Sequence, residues 1–106
     1  MIHITYLRDQ AAVHLKGHAQ NAPLGHDLVC ASVSILAYTL AAFVLKLADK
    51  GRAENFTASL LPGEAHIACT PTESERSSVT LVFDSICTGF HLLSEQFPEN
   101  VGFEVG

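Results

Sequence analysis

The sequence predicts an α+β fold, a two-layer sandwich of two helices packed on a mostly antiparallel sheet. Three observations carry this. Short segments of alternating apolar and polar residues flank two long stretches of helical periodicity. Turn-forming residues punctuate the junctions between them. The order is strand-strand-helix-strand-strand-helix-strand, which suits helices on one face of a sheet. At 106 residues, 48% of them apolar, the chain has the size and core of one domain, taken as residues 1–106.

Ile2-His-Ile-Thr-Tyr-Leu7 alternates branched and polar residues and reads as the first strand. Arg8-Asp9-Gln10 turns the chain, and residues 11–17, with Val13 and Leu15 on one side, form its hairpin partner. Residues 17–26 hold two glycines and Pro23 and read as a loop. A long helix is expected from about Asp27, a plausible N-cap, to Lys50, with Gly51 as its stop. Val29, Val33, Leu36, Leu40, Val44 and Leu47 recur at steps of three and four, one core-facing stripe. Ile35, Tyr38, Ala42 and Leu45 form a second apolar stripe, which needs a second helix or a partner subunit to cover it.

Residues 56–61 and 65–70 read as a second hairpin around Pro62-Gly63-Glu64. Thr72 with Glu75 looks like a capping box for the second helix. That helix should run to Phe97, with Val79, Val82, Phe83, Ile86, Phe90, Leu93 and Phe97 on one face. Pro98 ends it, and residues 101–105 make a last short strand.

Lys plus Arg number 6 against 11 Asp plus Glu, a net charge of −5. Wrapping phosphate backbones demands clustered cations, so nucleic acid is not an expected partner. The uncharged stretch 28–45 has ~18 residues, near the minimum for a bilayer span. It carries Cys30, Ser32, Ser34 and Thr39 and lacks an aromatic belt at both ends, so a buried core helix is expected instead of a membrane segment. The first residues show no basic start and no cleavage site, so no leader is expected. Cys30, Cys69 and Cys87 cannot all pair within one chain and include no Cys-x-x-Cys, which suits reduced thiols in the cytoplasm.

A nucleophilic thiol must be ionised near neutral pH, and helix N-termini and a neighbouring imidazolium favour the thiolate. With Asp27 as N-cap, Cys30 falls in the first helical turn, whose open N–H groups could also hold an oxyanion. His18 is the natural base, following Gly17, a residue that permits close backbone approach or a positive φ. Asp27 lies one turn from Cys30 and either orients His18 or caps the helix. From the residues alone other readings stand beside this one. A cysteine is often a small core residue, and a loop histidine is often only a surface residue. His26 and Cys30 at i, i+4, with His14 and His18, form a weak candidate metal set. Cys69, in a strand, and Cys87, in mid-helix, read as structural.

Gly17-His18-Ala19, followed by Gly25-x-Asp27-x-Val29-Cys30-Ala31-x-Val33-Ser34, resembles the signature of the ribosomal-processing cysteine protease Prp family, the YsxB-like proteins. The spacing matches without insertion, and a looser similarity runs through the whole chain. The resemblance implies a cytoplasmic cysteine endopeptidase that needs no cofactor and no metal. It implies Cys30 as nucleophile and His18 as general base and acid. Gly17 and Gly25 would be loop hinges, and Asp27 and Ser34 would be supporting residues. It further implies a homodimer, and as substrate the precursor of the large-subunit ribosomal protein numbered twenty-seven, which loses a short N-terminal extension. The alternative is a non-catalytic dimeric module that binds a ribosomal protein or assembly factor, for which the His18–Cys30 pair would be superfluous.

Overall fold

Alternation in the strands and periodicity in the helices sort the apolar side chains onto a single interface. A computed structural model of the chain describes residues 1–17 and 25–106, with residues 25–27 described through their backbone alone. The strands are β1 (Ile2–Leu7), β2 (Ala12–Lys16), β3 (Ala53–Leu61), β4 (Glu64–Pro71) and β5 (Val101–Val105), and the helices are α1 (Gly25–Asp49) and α2 (Arg76–Gln96). One five-stranded sheet runs in the order β3-β4-β2-β1-β5. Its pairings are antiparallel except β1 with β5, which is parallel. The expected α+β sandwich is the observed one.

Ile2, Ile4 and Tyr6 of β1, Val13 and Leu15 of β2, Ile67 and Cys69 of β4 and Val101 of β5 are buried under the helices. Their neighbours in sequence, such as His3, His14 and His66, lie on the opposite face because side chains alternate along a strand. Helix α1 packs over β3 and β4 while α2 packs toward β5. The expected stripe of α1 faces the core: Val29, Val33, Leu40, Val44 and Leu47 are buried, and Leu36 packs against them. By length and composition Leu28–Asp49 would suffice to cross a bilayer, yet in this fold that stripe covers the sheet. Val79, Phe83, Cys87 and Phe90 of α2 fill the other half of the core. The helices meet closely at Gly89, where an added Cβ would stand 2.9 Å from the Leu36 side chain.

Several boundaries differ from the sequence reading. β3 begins three residues before Phe56 and carries a bulge between Glu54 and Thr57, with Asn55 at φ +52°. The β3–β4 turn is Pro62-Gly63 alone, since Glu64 already pairs with Leu61. The Thr72–Glu75 capping box does not form. Thr72 instead donates its N–H and its hydroxyl to the Arg52 carbonyl, both at 3.3 Å, and the Glu75 carboxylate accepts from the Arg52 guanidinium at 2.7 Å. Both capping residues are thus spent tying the end of β4 and the start of α2 to the chain that leaves α1. A single turn of 3-10 helix, Glu73–Glu75, precedes α2.

The second stripe of α1 stays uncovered by α2. Ile35 is 63% exposed, Tyr38 55% and Leu45 45%.

Candidate active site

Helix α1 starts at Gly25, two residues before the expected N-cap, so Asp27 lies inside the first turn. Acidic residues are favoured both at the cap and within the first turn, because both sit at the positive end of the helix dipole. That shared preference hid the boundary in the sequence. Cys30 is consequently in the second turn and not, as expected, in the first. Helical side chains lean toward the N-terminus, so a second-turn residue is directed over the first turn, whose N–H groups have no partner within the helix.

Cys30 is half-buried and opens onto a cavity of about 290 Å³ between α1 and the end of the sheet. The roof of this cavity is one face of α1, where Cys30, Ser34 and Tyr38 follow at steps of four and Val33 and Ala37 fill in. Leu15, Leu60 and Ala65 belong to its floor, and the Pro62-Gly63 turn bounds it. Ser34 lies one turn beyond Cys30 on the same wall. Sequence reasoning missed the contribution of the β3–β4 hairpin and placed Tyr38 only in the outer stripe. The one available signal was that Tyr38 continues the Cys30–Ser34 spacing by another turn.

Gly17 borders the same cavity. Its φ is +110°, its N–H donates to the Gly63 carbonyl at 2.9 Å, and an added Cβ would overlap the Met1 carbonyl. Close approach and positive φ, both offered as reasons for a glycine here, hold together. His18 lies outside the described residues, and Gly25 and Asp27 are placed only as backbone of the first turn. The structure therefore brings Cys30, Ser34 and Gly17 together around one cavity.

The other two thiols sit in a different environment. Cys69 and Cys87 are each 3% exposed. Burial pushes the Cys69 thiol up, and burial with the nearby Asp84 carboxylate pushes Cys87 up to about 12. Both are held as neutral thiols in the core, consistent with structural roles. Among the described residues no group of three or more His, Cys, Asp or Glu could hold a metal ion. His14 leaves the candidate metal set because it faces away from α1, on the open side of the sheet. There its Nε2 lies 3.5 Å from the Glu64 carboxylate and its ring meets His66 edge-on.

A cysteine on a helix wall, at the mouth of an apolar cavity, can attack a bound acyl group once it is ionised. The family model described as cysteine protease Prp matches residues 1–102. The chain belongs to that family. It is therefore a cysteine protease, a peptide hydrolase. Among curated proteins, none matches the sequence. Among solved structures, it is similar to SMU.848 from Streptococcus mutans, with 26% identity and a TM-score of 0.69 over 98% of this chain and 90% of that one. It is also similar to an essential ribosomal processing protease Prp from S. aureus in complex with a covalently linked product peptide, with 20% identity and a TM-score of 0.72 over 99% and 97%. The same S. aureus protease with a substrate peptide gives 19% identity and a TM-score of 0.72 over the same shares. These last two likenesses concern the fold.

Proposed function

We propose that this protease is a cytoplasmic endopeptidase that removes the N-terminal extension of the large-subunit ribosomal protein numbered twenty-seven during ribosome maturation. The observation that carries the reading is the position of Cys30, the thiol that opens onto the cavity while Cys69 and Cys87 are buried. Family membership supports it, and the S. aureus relative is itself a ribosomal processing protease. In this mechanism the Cys30 thiolate attacks the scissile carbonyl, and N–H groups at the head of α1 stabilise the oxyanion. His18, having accepted the thiol proton, gives it to the departing amine. Water then hydrolyses the thioester with His18 as base, releasing the acid product and restoring the thiol. Gly17 and Gly25 flank the segment that carries His18, Asp27 belongs to the turn beneath the thiol, and Ser34 supports the wall beside it.

The same proposal includes a homodimer that covers Ile35, Tyr38, Ala42 and Leu45. Exposed apolar surface of this kind on a helix is what a second copy would bury. The test is incubation of the purified protein with the host's own ribosomal-protein precursor, followed by mass spectrometry. One new N-terminus on the precursor, produced by the wild type and not by Cys30→Ala, is the expected result. An intact precursor after prolonged incubation would overturn the assignment of substrate.

A further inference from the structure

Among the described residues the outer edge of β3 is open, and its regular half runs into the Cys30 cavity. Among these residues β3 is the last strand on its side of the sheet, so the backbone groups that do not face β4 have no partner strand there. The pairing parity identifies those groups. The two-residue turn closes on the pair Leu61–Glu64, which makes Ser59–His66 and Thr57–Ala68 hydrogen-bonded pairs and Leu60–Ala65 and Ala58–Ile67 the alternating non-bonded ones. The same parity carries across the sheet, where the Cys69 N–H donates to the Ala11 carbonyl and the Gly106 N–H to the Tyr6 carbonyl. The N–H and C=O of Ala58 and Leu60 therefore point outward, away from β4.

Edge strands are normally blunted by charge, proline or a bulge. Here the bulge at Glu54–Thr57 irregularises only the half of β3 far from the cavity. From Phe56 to Leu61 the strand carries no charge and no proline. Ala58 and Ser59 are exposed and Leu61 is 63% exposed. Leu60 and Leu61 also border the cavity that Cys30 opens onto, so a chain lying along this edge would be led to the nucleophile. The cavity, at about 290 Å³ and lined largely by apolar side chains, is at the small end of ligand sites and suits side chains more than a whole small molecule.

We infer that the peptide substrate docks as an added strand on the outer edge of β3, pairing with the N–H and C=O groups of Ala58 and Leu60, while an apolar side chain enters the cavity beside Cys30. This rests on the protease reading above. Main-chain pairing supplies sequence-tolerant affinity, and the cavity supplies the selection at alternate positions.

The experiment is an N-methyl scan of a peptide spanning the cut of the ribosomal-protein precursor, assayed with the wild-type protein. Blocking an amide that pairs with the β3 edge should raise KM about three- to tenfold, the loss of one hydrogen bond, and the effect should recur at every second residue. Ala58→Pro removes one outward N–H at a position where an edge strand tolerates proline, and should raise KM with kcat and melting temperature retained. A flat or non-alternating scan with the parent peptide still cleaved overturns the edge-docking inference alone. A change of oligomeric state in Ala58→Pro without a change in KM does the same, by assigning the edge to a second copy of the chain. A parent peptide that is not cleaved overturns the protease reading and this inference with it.

Discussion

The backbone N–H of Gly17 donates to the carbonyl of Gly63 at 2.9 Å, joining the end of β2 to the β3–β4 turn beside the Cys30 cavity. Gly17 is also at φ +110° with the Met1 carbonyl against the place a Cβ would occupy. Gly17→Ala must therefore move backbone, not a flexible side chain. The strained conformation alone costs about 1–3 kcal/mol. The expected outcome is a lower melting temperature together with a fall in kcat/KM, both measured on the purified variant. An unchanged melting temperature would show that the pocket wall yields easily.

Asp84 of α2 accepts from the Tyr6 hydroxyl at 2.8 Å and from Nε and Nη2 of the Arg8 guanidinium, each at 3.0 Å. Tyr6 is 3% exposed, so Asp84→Ala leaves a core hydroxyl without this acceptor and should cost about 1–3 kcal/mol. The Arg8 arm is more exposed and adds less. Denaturant unfolding of Asp84→Ala against Arg8→Ala checks this order, with the larger loss expected for Asp84→Ala.

The same cluster sets a pH dependence of stability. The hydrogen bond from Arg8 holds the Asp84 carboxyl below its usual range; partial burial opposes this and the Tyr6 hydroxyl adds to it. A depressed folded-state pKa gives stability that is present above the unfolded value, about 3.9, and is lost as pH falls through the folded one. Burial first, and then the hydrogen bond to Asp84, pushes the Tyr6 phenol up, and burial pushes Cys87 up to about 12. Those groups contribute stability that is whole below their unfolded values, about 8.5 for a thiol and about 10 for a phenol, and is lost as pH rises through the folded ones. Melting temperature should thus be highest near neutrality and fall on both sides. Asp84→Asn should flatten the acid limb; an acid limb of unchanged steepness would contradict the assignment.

The uncovered stripe of α1 predicts a dimer. Sedimentation at micromolar concentration should give twice the chain mass, and Ile35→Glu with Leu45→Glu should give the monomer with its secondary structure retained. A monomeric wild type would contradict this reading.

Periodic elements were the legible part of the sequence. The stripe from Val29 to Leu47 and the Phe83–Phe90 face fixed two helices, and alternation fixed β1 and its hairpin with β2. What escaped depended on contacts distant in sequence. Ala53-Glu54-Asn55 has weak strand propensity and a left-handed residue, so the start of β3 shows only through its pairing with β4. Thr72 reads locally as a cap, but Arg52 takes its hydrogen bonds. The parallel union of β5 with β1 cannot be read from five residues. At the site, Cys30 and Ser34 share a helix face that spacing reveals. The Leu60–Gly63 wall opposite them comes from the sheet order, which no local pattern carries.

Single cysteine substitutions assayed side by side separate Cys30 as the proposed nucleophile from the two buried thiols. Cleavage of the precursor peptide would be followed for Cys30→Ala, Cys69→Ala and Cys87→Ala, each first shown to be folded by circular dichroism. Removing a buried thiol costs about 1 kcal/mol, which a stable fold survives, so Cys69→Ala and Cys87→Ala should retain activity. Cys30→Ala should show no cleavage above the uncatalysed rate. Full activity in Cys30→Ala, or a loss confined to a folded Cys69 or Cys87 variant, would show that Cys30 is not the nucleophile.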